Sequence, residues 1–170
     1  MIFSTSITKG IDGNTFNGVY EFGNSRFQKW HGGRVRHIKR YIDSHLEDEK
    51  PNTVILQMGG NDLPLRETPI NDIANDIMEA AQKARVAGVE HVFIGGVTIR
   101  SQAYAKTRGE DLNIALQEMC EANDFVFIDN TEIIKKHLYD GVHINKEGSA
   151  ILANNYLKAL RSKFYNIETK

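Results

Sequence analysis

The sequence holds a single cysteine, Cys120, among its 170 residues, and only three prolines. One cysteine excludes an intramolecular disulfide. Met1 is not followed by the basic segment and apolar run of a signal peptide, so the expected setting is reducing and intracellular, in the cytoplasm. No uninterrupted apolar stretch approaches the roughly 20 residues that a membrane-spanning helix needs, and a soluble chain is expected. An excess of either charge is missing too: Lys plus Arg number 21 and Asp plus Glu 22. No global field then draws the chain to nucleic acid or membrane, and any such partner must be met by a local patch. Repeats, low-complexity tracts and linker-like breaks are also absent. Residues 1–170 therefore read as one domain, long enough to bury a core without staples.

What is present is an alternation. Short continuous apolar runs, the mark of strands buried on both faces, cover Met1–Phe3, Thr53–Met58, His91–Val97 and Phe125–Ile128, with Val19–Phe22 as a weaker fifth. Between them the period is helical: Val35, Ile38, Tyr41, Ile42 and Leu46 share one face. Ile70, Ile73, Ala74, Ile77, Ala81 and Ala84 follow, with Thr68 as expected N-cap, Pro69 in the first turn and Gly88 as terminator. Leu112, Ala115, Leu116 and Met119 mark another helix, and Ala150, Ala153, Leu157, Leu160 and Phe164 a last one that Asn145 can cap. The fold class expected is α/β, a parallel sheet between helical layers joined by right-handed crossovers. In such sheets ligands bind beyond the carboxyl ends of the strands, which singles out Ser4–Thr8, Gly32 and Gly33, Gly59–Asp62, Thr98–Ser101 and the loop reaching His143.

Chemistry is suggested first by "LYDGVHINKEG", where Asp140 and His143 lie three apart ahead of a helix. Acyl transfer by serine needs an imidazole base and a carboxylate that fixes its tautomer. An isolated D-x-x-H is more often a turn residue beside an ordinary histidine, so context must decide. In "VILQMGGNDLP" an apolar strand ends in two glycines and Asn61, whose amide can donate to a developing oxyanion; alone, Gly-Asn equally makes a turn. In "WHGGRVRHIKR" Gly32 and Gly33 precede a helix, where an unpaired N–H of Gly33 is a second oxyanion donor or the pair is a hinge. The G-x-S-x-G elbow of α/β-hydrolases is absent around Ser6 and Ser25.

A hydroxyl cluster after the first strand, a glycine before the next helix, a strand ending in G-x-N-D and a D-x-x-H before the last helix occur here in the order found in the SGNH hydrolases, or GDSL-type esterases and lipases. The chain resembles that family from Ser4 to its closing helix. The resemblance implies a flavodoxin-like three-layer sandwich with five parallel strands in the order 2-1-3-4-5. It implies a serine ester hydrolase without metal or organic cofactor, acting on acetyl or other short-chain esters of small alcohols, lipids or acylated carbohydrates. Ser6 falls on its nucleophile, His143 on the base, Asp140 on the orienting acid, and Ser6, Gly33 and Asn61 on the oxyanion hole. Gly32, Thr98, Arg100 and Tyr104 are candidates for the pocket, Arg100 or Tyr104 meeting the alcohol portion. Within the family the blocks look most like the esterase-like domains of retrotransposon-encoded proteins, which implies a part of a larger polypeptide. One departure stands out: Ser4-Thr5-Ser6 replaces the usual Gly-Asp-Ser, which puts the turn around the serine in question. The alternative is an inactive module of the same fold that binds RNA or anionic lipid through Arg34, Arg36, His37, Lys39 and Arg40, residues that otherwise form a solvated helix face.

Overall fold

Residues 1–11 and 26–165 are described in a computed structural model of the chain. Strands β1 (Ile2–Thr5), β2 (Phe27–Trp30), β3 (Thr53–Gln57), β4 (His91–Gly95) and β5 (Val126–Ile128) form one sheet. Every pairing is parallel and the order is β2-β1-β3-β4-β5, as the family resemblance implied. Among the described residues four α-helices connect and cover it: α1 (Val35–Glu49), α2 (Ile70–Val86), α3 (Ala103–Asn123) and α4 (Lys146–Tyr165).

Because successive strand residues point to opposite faces, the apolar runs divide into two cores. Phe3, Val54, Leu56, Val92 and Ile94 pack with Ile38 and Ile42 of α1, Ile77 of α2 and Leu112 of α3. Ile2, Ile55, Phe93 and Ile128 face the other way, onto Leu152, Tyr156 and Leu160 of α4. Among the described residues α1, α2 and α3 thus pack on one face and α4 on the other.

Sequence signals at the helix ends are mostly used as expected. Gly88, at φ +91°, lets the chain leave α2 while Val89 N–H donates to the Ala84 carbonyl. Asn145 Oδ1 accepts the Gly148 N–H at 3.0 Å and caps α4. Thr68 does not cap α2: Pro69 takes the N-cap position without a side-chain bond, and the Thr68 carbonyl instead accepts from Arg108. The weak run Val19–Phe22 lies outside the described residues, and the second strand is Phe27–Trp30. That edge strand mixes polar with apolar residues and is half-buried along its length, so it carries none of the continuous apolar signal that exposed the others.

The proposed basic face of α1 is interrupted. Arg36 and Arg40 are exposed, but Lys39 reaches α2, where it pairs with Asp76 and, at 2.6 Å, with Glu79. Among the described residues no helix is long and apolar enough to cross a membrane.

One polar cluster is buried under the sheet near its carboxyl edge. Gln57 Oε1 accepts from Tyr156 Oη at 2.9 Å and from Asn130 Nδ2 at 3.2 Å, and Gln57 Nε2 donates to the Gly96 carbonyl at 3.0 Å. Gly95 has to lack a side chain here, since a Cβ would lie 2.0 Å from Gln57 Oε1. The network fixes the end of β3 against α4, immediately before the residues that form the site.

Candidate active site

β1 runs straight into a single 3-10 turn, Ser6–Thr8. The replacement of Gly-Asp by Ser4-Thr5 is accommodated by hydroxyls. Thr8 Oγ1 donates to the Thr5 carbonyl at 3.4 Å, and Ser4 Oγ lies 2.5 Å from Thr8 Oγ1. With its one proton directed at Thr5, Thr8 can only accept from Ser4. Ser4 and Thr5 are fully buried, while Ser6 stays partly exposed; the three hydroxyls are sorted by the turn.

Ser6 Oγ lies 3.1 Å from His143 Nε2, and His143 Nδ1 lies 2.6 Å from Asp140 Oδ2. A carboxylate only accepts, so the Nδ1 proton belongs to His143 and Nε2 presents a lone pair to Ser6. The other oxygen, Asp140 Oδ1, accepts the N–H of His143 at 2.7 Å and of Val142 at 2.9 Å. The His143 N–H, then the His143 ring, then the Val142 N–H hold the Asp140 carboxyl well below the usual carboxylate range. The loop is shaped by Gly141 at φ +81°, by the Tyr139 N–H donating to the His143 carbonyl at 3.0 Å, and by a Leu138–Ile144 bridge. The Tyr139 ring stacks on His143 at 5.8 Å.

Beyond β3 the chain turns at Gly59, φ +100°, and presents Asn61, whose Nδ2 donates to the Gly33 carbonyl at 3.0 Å. This bond leaves the second amide proton of Asn61 for a ligand. The glycine pair behaves differently from the expectation. Gly33 is buried, its N–H donates to the Trp30 carbonyl at 3.0 Å, and a Cβ on it would come within 2.7 Å of Trp30 Cβ. Its N–H is therefore taken, and Gly33 serves by holding Asn61. Gly32 is exposed at φ +67°, and among the described residues its N–H has no hydrogen-bond partner.

Two residues of the Gly59–Asp62 stretch contribute in ways that the sequence did not show. Asp62, read only as a motif letter beside Asn61, is buried and accepts the Val35 N–H at 3.2 Å, capping α1 from across the cleft. Burial pushes its carboxyl up to about 6, against the opposing pull of the Val35 N–H and Arg34. Gly60 touches the Arg100 guanidinium so closely that a Cβ would lie 2.3 Å from Nη2.

The pocket candidates separate. Thr98 and Arg100 are buried and line, with Thr5, Ile7, Gly60 and Val97, a cavity of about 10 Å³ that Ser6 itself does not line. Arg100 does not stand at the mouth to meet an alcohol; its Nη1 donates to the Val142 carbonyl at 3.0 Å. Tyr104 lies outside that cavity, its ring approached by the guanidinium groups of Arg66 and Arg108 at 4.4 and 5.4 Å.

Comparison with known proteins bears on the fold and the family. No curated protein sequence matches the chain significantly. Solved structures similar to it include a GDSL-like lipase from Bacteroides thetaiotaomicron, with a TM-score of 0.83 at 16% identity over 96% of this chain and 87% of that one. A putative acylhydrolase from Bacteroides fragilis gives 0.82 at 16% identity, over 95% and 86%. A catalytic mutant of an acetylxylan esterase from Geobacillus stearothermophilus gives 0.77 at 17% identity, over 94% and 92%. At these identities the likeness establishes the fold. The family assignment comes from the sequence model of the GDSL-like lipase/acylhydrolase family, which matches residues 6–151, and the chain therefore belongs to that family of ester hydrolases.

Proposed function

We propose that the protein hydrolyses small carboxylic esters, acetyl esters first, through a Ser6-His143-Asp140 triad. The observation that carries the reading is the unbroken chain from Ser6 Oγ through the His143 ring to Asp140 Oδ2, at 3.1 and 2.6 Å. Ser6 Oγ attacks the acyl carbon while its proton passes to His143 Nε2, and Asp140 stabilises the imidazolium. The carbonyl oxygen becomes an oxyanion, received by the N–H groups of Ser6 and Gly32 and the Asn61 amide, with Gly33 holding that amide. The C–O bond to the alcohol then breaks and His143 returns its proton to the leaving oxygen. Water repeats the sequence on the acyl-enzyme, releasing the acid and restoring Ser6.

A short acyl group is supported by the structural likeness to an acetylxylan esterase. The test is hydrolysis of p-nitrophenyl acetate and octanoate together with fluorophosphonate labelling. Acetate should be the better substrate. Ser6→Ala and His143→Ala should each lower turnover by about 10³ or more, and Asn61→Ala by about 10²–10³. Ser4→Ala should still label. A folded wild-type sample that labels nowhere, or that labels equally in Ser6→Ala, would sink the reading.

A further inference from the structure

Arg100 is a cation in a costly place. It is 6% exposed, and among the described residues no carboxylate lies within ion-pair distance of it. Its Nε–H, buried, has no partner. Burial pushes its guanidinium below the ordinary range, with Asp140 pulling the other way. An apolar side chain of similar volume would fill such a space at lower cost, so its contacts need a separate reason.

Those contacts converge on the triad loop. Arg100 Nη1 donates to the Val142 carbonyl at 3.0 Å. The N–H of the same peptide group, that of His143, donates to Asp140 Oδ1 at 2.7 Å. A guanidinium at the oxygen end and a carboxylate at the N–H end align with the peptide dipole between them, and each bond polarises the other. The neighbouring Ser101 N–H adds a second tie, to the Gly141 carbonyl at 2.9 Å. On its other side the guanidinium rests on Gly60, one residue before Asn61, where any Cβ would collide with Nη2 at 2.3 Å.

We propose that Arg100 is a positioning residue for the hydrolysis described above: seated on Gly60, it grips the peptide that binds Asp140 and so fixes the His143 ring relative to Ser6 and Asn61. The inference rests on the esterase reading, but it differs from a role in contacting the alcohol. It also explains why a glycine stands between Gly59 and Asn61.

The experiment compares wild type with Arg100→Ala, Arg100→Lys and Gly60→Ala on p-nitrophenyl acetate, alongside the downfield proton resonance of the His143–Asp140 hydrogen bond. Arg100→Ala should lower kcat about 10–100-fold with KM within about threefold. Millimolar guanidinium chloride should restore part of the loss, and the same concentration of sodium chloride should not. Arg100→Lys should fall between. Gly60→Ala should act in the same direction, and the double variant Gly60→Ala, Arg100→Ala should be no worse than Arg100→Ala alone, because both act through one contact. The downfield proton should shift or broaden in Arg100→Ala. A rise in KM alone would make Arg100 a substrate contact and overturn the proposal. So would an unchanged kcat, or a loss that follows unfolding and is not rescued by guanidinium. If wild type hydrolyses no ester, the esterase reading fails on its own, and an unmoved His143–Asp140 resonance in Arg100→Ala would still refute the positioning role.

Discussion

Asp62 and Asp140 are carboxylates treated in opposite ways, and each has a consequence in pH. Asp62 is pushed up to about 6 by burial, so between the ordinary value near 4 and about 6 the folded chain holds a proton that the unfolded chain has released. Raising pH through that window lowers stability, and the loss persists above it. Asp62→Asn keeps an acceptor for the Val35 N–H and carries no charge. Urea unfolding between pH 4 and 8 should show the variant more stable at pH 7 by about 3 kcal/mol, converging with wild type at the acid end. Parallel curves would refute this. Asp140 contributes stability above the carboxylate range and loses it only as pH falls through its much lower folded value, so it stays ionised across the Asp62 window. At this scale Ser6, Asn61, Asp140 and His143 could be picked out as candidates because their chemistry is written in the side chain and their order matches a family, and the structure brings Ser6, His143 and Asp140 into hydrogen-bond reach. That the Gly33 N–H is taken by the Trp30 carbonyl was not legible, since which N–H is paired depends on how the turn closes. Arg100 was legible as a residue near the site but not in its role, because its partner is a backbone carbonyl.

Between elements, the buried Gln57 network ties β3 to α4 and to the carboxyl end of β4. Tyr156→Phe removes one donor to Gln57 Oε1 and leaves Asn130 still bonded to it. It should cost about 1 kcal/mol in denaturant unfolding, and the folded variant should keep its esterase activity; a neutral result would mean that the Tyr156 hydroxyl adds nothing to the clamp. Helices α1, α2 and α4 and strands β3 and β4 were legible from the sequence because burial of one helical stripe or of a whole strand leaves an apolar period. β2 was not, because an edge strand is half-wet and Phe27–Trp30 alternates only loosely. The capping of α2 was misread at Thr68, where Pro69 already fixes the backbone and leaves the threonine outside. Strand order did not come from periodicity at all; it came from the resemblance, and the parallel registers agree with it.

Over the whole molecule, the site draws its parts from the ends of β1, β3 and β4, the turn ahead of α1 and the loop ahead of α4. Ser6 and His143 meet across 137 residues of chain. Closing so long a loop is entropically slow unless the intervening strands have already paired. Activity is then a late event in refolding: after dilution from urea, hydrolysis of p-nitrophenyl acetate should return with or after the helical far-UV signal, never before it. An early return of activity would mean that the first and last segments find each other without the sheet. The same distance makes the Ser6–His143 contact a reporter of the completed fold, since any opening of the sheet that lets α4 drift removes the base from its serine while most helices remain formed.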